Sequence, residues 1–139
     1  MATLNPYLNF NDTCEAAFNL YKSVFGGEFA TVMRFKDVPG ENPPPPADAD
    51  KIMHIALPLG NNGVLMGSDR PGHMGKTTFG DSVTISITAG SEEEAHQLFG
   101  GLSAGGTVTM PLGKQFWGAL FGMLTDKYGI HWMVSYDYK

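Results

Sequence analysis

Two segments of the chain carry the same hydrophobic pattern, that of a helix with one buried face. Residues 12–29 align without a gap on residues 91–108, with Glu15 on Glu94 and Gly26-Gly27 on Gly105-Gly106. Apolar residues recur in each segment at three- and four-residue spacing. They are Cys14, Ala17, Phe18, Tyr21, Val24 and Phe25, and then Ala95, Leu98, Phe99 and Leu102. The glycine pairs predict that both helices end in the same way.

The start of each helical segment predicts a local cap. Asp12 and Ser91 are each followed three residues later by Glu, which is the spacing of a capping box. In that motif the two side chains satisfy backbone N–H groups that the first turn leaves free. The distance in sequence between the two similar helices is too long for the repeat period of a solenoid. They therefore indicate one unit duplicated along the chain.

Alternation of apolar and polar residues predicts one strand before each helix and three strands after it. The first strands cover residues 4–10 and 82–87. Turn sequences at 61–63 and 126–129 make the last two strands of each half antiparallel neighbours. The other predicted strands are 29–35, 52–57 and 64–68, and then 107–110, 117–125 and 130–136. The prediction is an α+β protein with a single domain over 1–139, built from a βαβββ module at 1–75 and another at 80–139.

A long connection interrupts the first module and has no counterpart of its length in the second. It runs over residues 37–50 and contains four consecutive prolines, Pro43–Pro46, which lack backbone N–H donors. The run predicts an extended, polyproline-like surface loop. A spacer is the commoner role for such a loop, and recognition of a partner is the alternative.

Composition narrows the classes of partner. The chain has 139 residues, with 9 Lys and Arg against 14 Asp and Glu, so its net charge is −5. It therefore lacks the basic residues that binding to nucleic acid or to an anionic membrane requires. Its one cysteine, Cys14, excludes an internal disulfide and a cysteine-cluster metal site. No apolar stretch reaches membrane-spanning length, and residues 1–7 lack the features of a signal peptide. These features predict a cytoplasmic protein.

Polar side chains form rows on three predicted strands, opposite the apolar positions that face the helices. In a half-solvated antiparallel sheet such rows are simply the outer face. Alternatively, they line a cup formed by a curved sheet, with aromatic residues as its walls. The rows are Asn5, Tyr7 and Asn9; Ser82, Thr84 and Ser86; and His131, Met133 and Ser135.

Three runs of sequence are spread over nearly the whole chain. They are Asn5-Pro6-Tyr7-Leu8 through Cys14-Glu15-Ala16-Ala17-Phe18 to Gly26-Gly27; Met53-His54 with Leu65-Met66-Gly67-Ser68-Asp69; and Thr107 to Met133, including Thr125-Asp126. These runs resemble the vicinal oxygen chelate superfamily, which includes glyoxalase I, extradiol dioxygenases and bleomycin-resistance proteins. Within it they resemble the PhnB-like branch, long labelled as similar to a demethylubiquinone methyltransferase. The resemblance implies two βαβββ modules with curved mixed sheets, but no particular activity.

The resemblance also implies where a metal would bind. Enzymes of the superfamily hold a divalent ion with His and Glu from the first and last strands of each half. Here those positions fall on Asn5, on Leu65 or Met66, on Ser82 and on Met133. Amide and thioether groups are poor ligands for Zn, Ni, Mn or Fe(II), so we expect no metal and no cofactor. A methyltransferase cofactor site is not supported either, because no Gly-rich turn follows a parallel strand.

Individual side chains suggest contacts for a ligand. His54 lies in an apolar strand and is either a hydrogen-bonded imidazole of the interior or the best available general base. Phe116 and Trp117 precede a hairpin, where their alternation along a strand would give one ring to the core and one to the opposite face. The predicted ligand contacts are Asn5, Tyr7, His54 and Ser82 as polar groups and Phe116, Trp117 and Met133 as walls.

Three functional hypotheses follow. The first is a PhnB-like protein that binds a small apolar or aromatic molecule without a metal. The alternative is a lyase or isomerase of glyoxalase or dioxygenase type that uses a divalent metal or His54 as general base. The third is a purely structural dimer whose cups are closed by side chains. Exposed sheet edges favour a homodimer in each case.

Overall fold

The computed structural model describes residues 2–40 and 42–138. The chain forms two compact units, Met1–Thr78 and Phe79–Lys139. The prediction of a single domain over 1–139 stays a prediction. None of the helices in the described residues is long and apolar enough to cross a membrane.

The first unit contains one helix and a four-stranded mixed sheet. Its elements in chain order are β1 (Tyr7–Phe10), α1 (Cys14–Phe25), β2 (Thr31–Arg34), β3 (Ile52–Pro58) and β4 (Val64–Asp69). The strands lie in the order β1-β4-β3-β2, with β1 parallel to β4 and the other pairs antiparallel. Short 3₁₀ turns follow β2 and β4.

The second unit repeats this arrangement. It consists of β5 (Ile85–Thr88), α2 (Glu92–Ser103), β6 (Thr107–Lys114), β7 (Ala119–Thr125) and β8 (His131–Asp137), with sheet order β5-β8-β7-β6. Again the first strand is parallel to the last, and the other pairs are antiparallel. The predicted α+β class and the duplicated βαβββ order are therefore confirmed.

Each helix packs its predicted apolar stripe on one face of its own sheet. Cys14, Ala17, Phe18 and Tyr21 of α1 are buried, and Ala95, Leu98, Phe99 and Leu102 of α2 are buried at the same spacing. In both units a ring from the helix lies over a strand glycine. A Cβ added to Gly67 would lie 2.7 Å from Phe18 Cε1, and one added to Gly122 would lie 2.7 Å from Phe99 Cε1. Glycine at these two positions therefore sets how closely the helix approaches the sheet.

The first strand of each unit is shorter than predicted, so Asn5 and Ser82 lie outside the strands. β1 and β5 are edge strands, and each pairs with a single neighbour. Because Ile85 lies opposite Trp132, residue 82 would lie beyond the start of β8 at His131. Ser82 is accordingly in an exposed bend. Asn5 precedes β1 but remains attached to it, since its Oδ1 accepts a hydrogen bond from Val64 N at 3.0 Å.

The prediction of a local cap is correct for α2 and wrong for α1. Ser91 Oγ accepts from Glu94 N at 3.0 Å, while Glu94 Oε1 accepts from Gly90 N at 2.7 Å. At α1 the N-cap residue is Thr13, whose side chain makes no capping hydrogen bond. Asp12 has a left-handed backbone with φ of 73° and forms an ion pair with Lys51 instead.

A buried carboxylate from β4 replaces the missing cap of α1. Asp69 Oδ1 accepts from Cys14 N at 2.9 Å, and its Oδ2 accepts from Ile52 N at 3.0 Å. Burial raises the pKa of Asp69, and these two backbone donors act against that rise. One side chain therefore joins the helix start to β3 and β4.

The long connection of the first unit is folded more tightly at its end than the proline run predicts. Pro46 lies in a turn rather than in an extended run, because Asp48 N donates to Pro45 O at 2.9 Å. The buried Asp48 carboxylate accepts from Gly72 N and pairs with Lys51 at 2.9 Å. This carboxylate anchors the connection to the segment that follows β4.

Candidate functional site

The open face of each sheet is the face that does not pack against its helix. In the first unit, cross-strand pairing aligns Tyr7, Met66, Ala56 and Thr31 in one row, from β1 through β4 and β3 to β2. The next row includes Asn9 paired with Ser68 and Met33 paired with His54. We call the side chains of these two rows the first open face.

Tyr7 and His54 meet on the first open face although their strands are not neighbours. The Tyr7 hydroxyl lies 3.2 Å from His54 Nδ1, and the two rings stack with centroids 5.7 Å apart and an interplanar angle of 25°. Tyr7 is on β1 and His54 is on β3, so the contact passes over β4. Two residues predicted as ligand contacts are therefore brought together by the sheet.

The hydrogen bond between Tyr7 and His54 leaves a choice of tautomer. If Tyr7 donates to Nδ1, the neutral imidazole carries its proton on Nε2, which then donates to a ligand. If Nδ1–H donates to the Tyr7 oxygen, Nε2 has a free lone pair and accepts a proton. Among the described residues, Nε2 of His54 has no hydrogen-bond partner. The stacked rings of Tyr7 and His54 are both partly exposed, so Nε2 of His54 is a polar atom available to a bound molecule.

In the second unit, the open face carries a row of three methionines. Pairing aligns Ser86, Met133, Met123 and Met110 from β5 through β8 and β7 to β6. A parallel row contains Thr88, Ser135, Phe121 and Gly113. We call these side chains the second open face, and it includes Met133 of the predicted ligand contacts.

His131 is held by neighbours on both sides of its ring. Its Nδ1 lies 2.8 Å from Thr125 Oγ1 and its Nε2 lies 2.7 Å from Gly80 O. Since a carbonyl only accepts, Nε2 carries a proton and Nδ1 accepts from the Thr125 hydroxyl in the neutral ring. His131 thus fastens the start of the second unit to its sheet.

Phe116 and Trp117 lie in the turn between β6 and β7, and their predicted alternation along a strand is wrong. Gly118, with φ of 89°, follows them, and Gly118 N donates to Gln115 O at 3.1 Å. Phe116 is 97% exposed and Trp117 is 54% exposed, so neither ring belongs to the core. The Trp117 ring contacts Phe116 and Phe121 edge to face, with centroids 5.1 and 5.9 Å away.

The positions that the superfamily uses for metal ligands do not fit a divalent metal here. Asn5 uses its oxygen on Val64 N, Leu65 is buried, and Ser82 lies outside the strands. Met66 and Met133 do reach the open faces, but they offer thioethers. Within residues 2–40 and 42–138, no group of three or more His, Cys, Asp or Glu has the arrangement to hold a metal ion.

Two buried aspartates, Asp69 and Asp126, lie in the runs that resemble the family and carry no predicted role. Asp69 holds the start of α1, as described above. Asp126 accepts from Tyr128 N at 2.8 Å and Ile130 N at 3.1 Å through Oδ1, and from Trp132 Nε1 at 2.8 Å through Oδ2. A lone Asp directly after a predicted strand was the available signal for both. Their buried hydrogen bonds show structural roles.

Cys14 is buried at the start of α1, as its place in the apolar stripe predicts. Burial raises the pKa of its thiol far above the ordinary value, and the nearby Asp69 carboxylate adds to the rise. A thiol that stays protonated is a poor nucleophile. Cys14 therefore contributes to packing.

The fold and the open faces define a class of protein. The chain is similar to a glyoxalase-related enzyme from Fulvimarina pelagi with a TM-score of 0.64 at 20% identity, over 99% of this chain and 88% of that one. This likeness shows a glyoxalase-related type of fold, with two open mixed sheets and two helices.

The family follows from stronger matches. The family described as 3-demethylubiquinone-9 3-methyltransferase matches residues 2–135, and the chain belongs to this PhnB-like family. A Pseudomonas aeruginosa protein, PA1353, is 37% identical with a TM-score of 0.88, and all of both chains is covered. A Bacillus cereus structure titled as a putative 3-demethylubiquinone-9 3-methyltransferase, PhnB protein, is 28% identical with a TM-score of 0.77, over 97% of this chain and 99% of that one. These likenesses establish no specific activity.

Proposed function

We propose that the chain binds a small apolar or aromatic molecule on the first open face, without a metal ion. The observation that carries the proposal is the contact of Tyr7 with His54 across β4. A stacked pair of rings offers a ligand flat apolar surface and one free ring nitrogen. Aromatic and apolar surface combined with placed polar groups is typical of small-molecule sites.

The residues under and beside the ring pair support an apolar ligand. Met66 and Ala56 lie in the same row as Tyr7, and Met33 pairs with His54. Methionine is flexible and polarizable, so it adapts to ligands of different outline and makes favourable contacts with aromatic rings. In this arrangement Tyr7 donates to His54 Nδ1, and Nε2–H donates to a ligand oxygen or nitrogen.

The second candidate is an enzyme of lyase or isomerase type in which His54 is the general base. The same contact favours it, since Nδ1–H donating to the Tyr7 oxygen would orient the ring and leave the Nε2 lone pair free. The two candidates thus differ in the tautomer of His54. Ser82, Phe116, Trp117 and Met133 stay predictions as ligand contacts, and Asn5 has its oxygen committed to Val64.

The binding proposal is tested with a panel of small aromatic compounds, by thermal shift and calorimetry with and without EDTA. A true ligand raises the melting temperature equally in both conditions. We expect His54→Gln to weaken its binding by about tenfold, equivalent to roughly 1.4 kcal/mol. His73→Gln is the matched control, because His73 is an exposed histidine of the same unit outside the sheet. A panel without any hit, or equal losses in both variants, would contradict the proposal.

The enzyme candidate is tested on any compound that binds. Turnover that disappears in His54→Gln, with binding retained, would favour a base. Tyr7→Phe removes the hydroxyl that holds the ring, so turnover should fall less than in His54→Gln. Binding without turnover in the unaltered protein supports the binder instead.

The assembly and location of the protein are also proposals. We propose a cytoplasmic protein without a nucleic-acid or membrane partner, which the net charge of −5 supports. We also propose that it is a homodimer, which the edge strands β2 and β6 support. Val32 on β2 is 46% exposed and Val108 on β6 is 44% exposed. Light scattering after gel filtration should give twice the chain mass, and Val108→Lys should lower it if β6 forms the interface. A monomer at micromolar concentration would refute the dimer.

A further inference from the structure

Three methionines occupy adjacent positions on the second open face. Met110, Met123 and Met133 come from three neighbouring strands, and each is directly opposite the next in the antiparallel pairing. All three side chains are half-buried. Opposite residues in a sheet have Cβ atoms about 4.5–5.5 Å apart, so three flexible thioethers start from neighbouring points on one surface.

The backbone of β6 is irregular on both sides of Met110. The register shifts between Val108 and Met110 and again between Met110 and Gly113. In a regular continuation from Val108 opposite Leu124, Thr109 would lie opposite Met123. Met110 would then lie opposite Gly122, on the face that packs against α2. The first bulge therefore turns Met110 onto the open face, and bulges that redirect a side chain are over-represented at functional sites.

We infer that Met110, Met123 and Met133 bind one soft monovalent metal ion, Cu(I) or its analogue Ag(I). Thioether sulfur is a soft ligand that selects Cu(I), whereas the divalent ions of the superfamily prefer imidazole and carboxylate. With metal–sulfur bonds of about 2.3 Å, as in zinc thiolates, three sulfurs in a trigonal array lie roughly 4 Å apart. Met110 and Met133 lie two strands apart, so their Cβ atoms start about 9–10 Å from each other. Both side chains must therefore lean toward Met123 to bring the three sulfurs together, which the unbranched methionine side chain allows.

The imidazole beside this row is already occupied. The two ring nitrogens of His131, on the neighbouring row, are hydrogen-bonded to Thr125 and Gly80. Phe121 lies two residues from Met123 on the same face of β7 and adds an aromatic ring without a donor atom. The hydroxyl groups of Ser86 and Ser135 on this face are hard oxygen donors, so the three thioethers are its soft ligands. The net charge of −5 favours a cation over an anion.

The test uses the full chain. Ag(I) is titrated in chloride-free buffer and followed by native mass spectrometry, and Cu(I) is titrated anaerobically against a colorimetric Cu(I) chelator. Both should show one ion per chain. In protein labelled with ¹³C on the methionine methyl groups, three of the eight methionine signals should shift in slow or intermediate exchange.

Conservative variants assign the ligands. Met110→Leu, Met123→Leu and Met133→Leu keep the side-chain volume, and each should weaken Ag(I) binding at least tenfold. Met74→Leu, at an exposed position outside both open faces, is the control that should bind as the unaltered protein does. Absence of stoichiometric binding would overturn the inference. So would an ion retained by the triple leucine variant, or methyl shifts outside these three residues. The methyl shifts of the unaltered protein decide the matter even if a variant fails to fold.

Discussion

The two units share one topology but fix the start of their helices in different ways. In the second unit, Ser91 and Glu94 lie within four residues of each other and cap α2 locally. In the first unit, the cap of α1 comes from Asp69, which lies 55 residues after Cys14 in the chain. The same requirement, satisfying free N–H groups at a helix start, is therefore met by local sequence in one unit and by tertiary structure in the other.

The open faces differ in a corresponding way. The row of Tyr7, Met66, Ala56 and Thr31 in the first sheet occupies the place of the row of Ser86, Met133, Met123 and Met110 in the second. The first open face carries the ring pair of Tyr7 and His54 with a free ring nitrogen, and the second open face carries three thioethers. Duplication has kept the scaffold, while the two surfaces have acquired different chemistry.

The largest effect should come from Asp69. Asp69→Ala leaves the N–H groups of Cys14 and Ile52 buried without partners, and each such donor costs about 1–3 kcal/mol. We expect the free energy of unfolding to fall by about 3 kcal/mol in urea denaturation. Asp69→Asn, which keeps one acceptor oxygen, should lose less. A loss below about 1 kcal/mol for alanine would show that the helix start does not depend on this carboxylate.

The strand glycines should have the next largest effect. In Gly67→Ala the new Cβ would lie 2.8 Å from Leu8 O, and in Gly122→Ala it would lie 2.8 Å from Leu112 Cα. Because backbone atoms cannot move aside cheaply, we expect each variant to lose about 1–3 kcal/mol. Gly100→Ala is the control, since its Cβ meets nothing within 4 Å on α2. That variant should gain about 0.5–1 kcal/mol through helix propensity. If the strand and helix variants changed the free energy of unfolding in the same direction, the close packing of helix on strand glycine would be contradicted.

Ser91→Ala tests the local cap and should cost about 1 kcal/mol, measured in the same urea series. Only one N–H, that of Glu94, loses its partner, and it lies at the exposed start of a helix where water can replace it. The loss should therefore be smaller than that of Asp69→Ala. A larger loss at Ser91 would reverse the comparison between the two units.

The smallest effect concerns pH. Two hydrogen bonds from Arg34, at 2.7 and 3.1 Å, hold the pKa of Glu15 below its ordinary value of 4.5. Stability from this pair is present above that value and is lost as the pH falls through the lowered pKa. Because the Glu15 side chain is 52% exposed, the contribution should stay below about 1 kcal/mol.

Unfolding of Glu15→Gln at pH 7 and pH 3 measures that contribution. The difference from the unaltered protein should be largest at pH 7 and close to zero at pH 3. Asp69 acts with the opposite sign, since burial raises its pKa and its ionisation on raising the pH costs stability. Both proteins share this contribution of Asp69, so the comparison removes it. A difference that does not change with pH would mean that the Arg34 contact has no ionic part.

The helix stripes and the two hairpin turns were predictable because each depends on neighbours within a few residues. The repeat was predictable because two such local patterns occur twice in the chain. Tyr7 and His54 were predicted separately as ligand contacts, but no local pattern indicates that they touch. Their contact depends on the strand order, which places β4 between them. Trp117 was predicted to start a strand with Phe116 directly before it, their rings alternating between the two faces, but the turn at Gly118 decided otherwise.

By itself, the sequence determined the secondary structure and its duplication, since hydrophobic periodicity reports which face of each element is buried. It also determined which ligand types the chain lacks at the superfamily's metal positions. Only the tertiary structure decided where α1 finds its cap, where the first strands begin and which face Met110 occupies. Each of these depends on a partner distant in sequence or on a shift of register, and a local pattern contains neither.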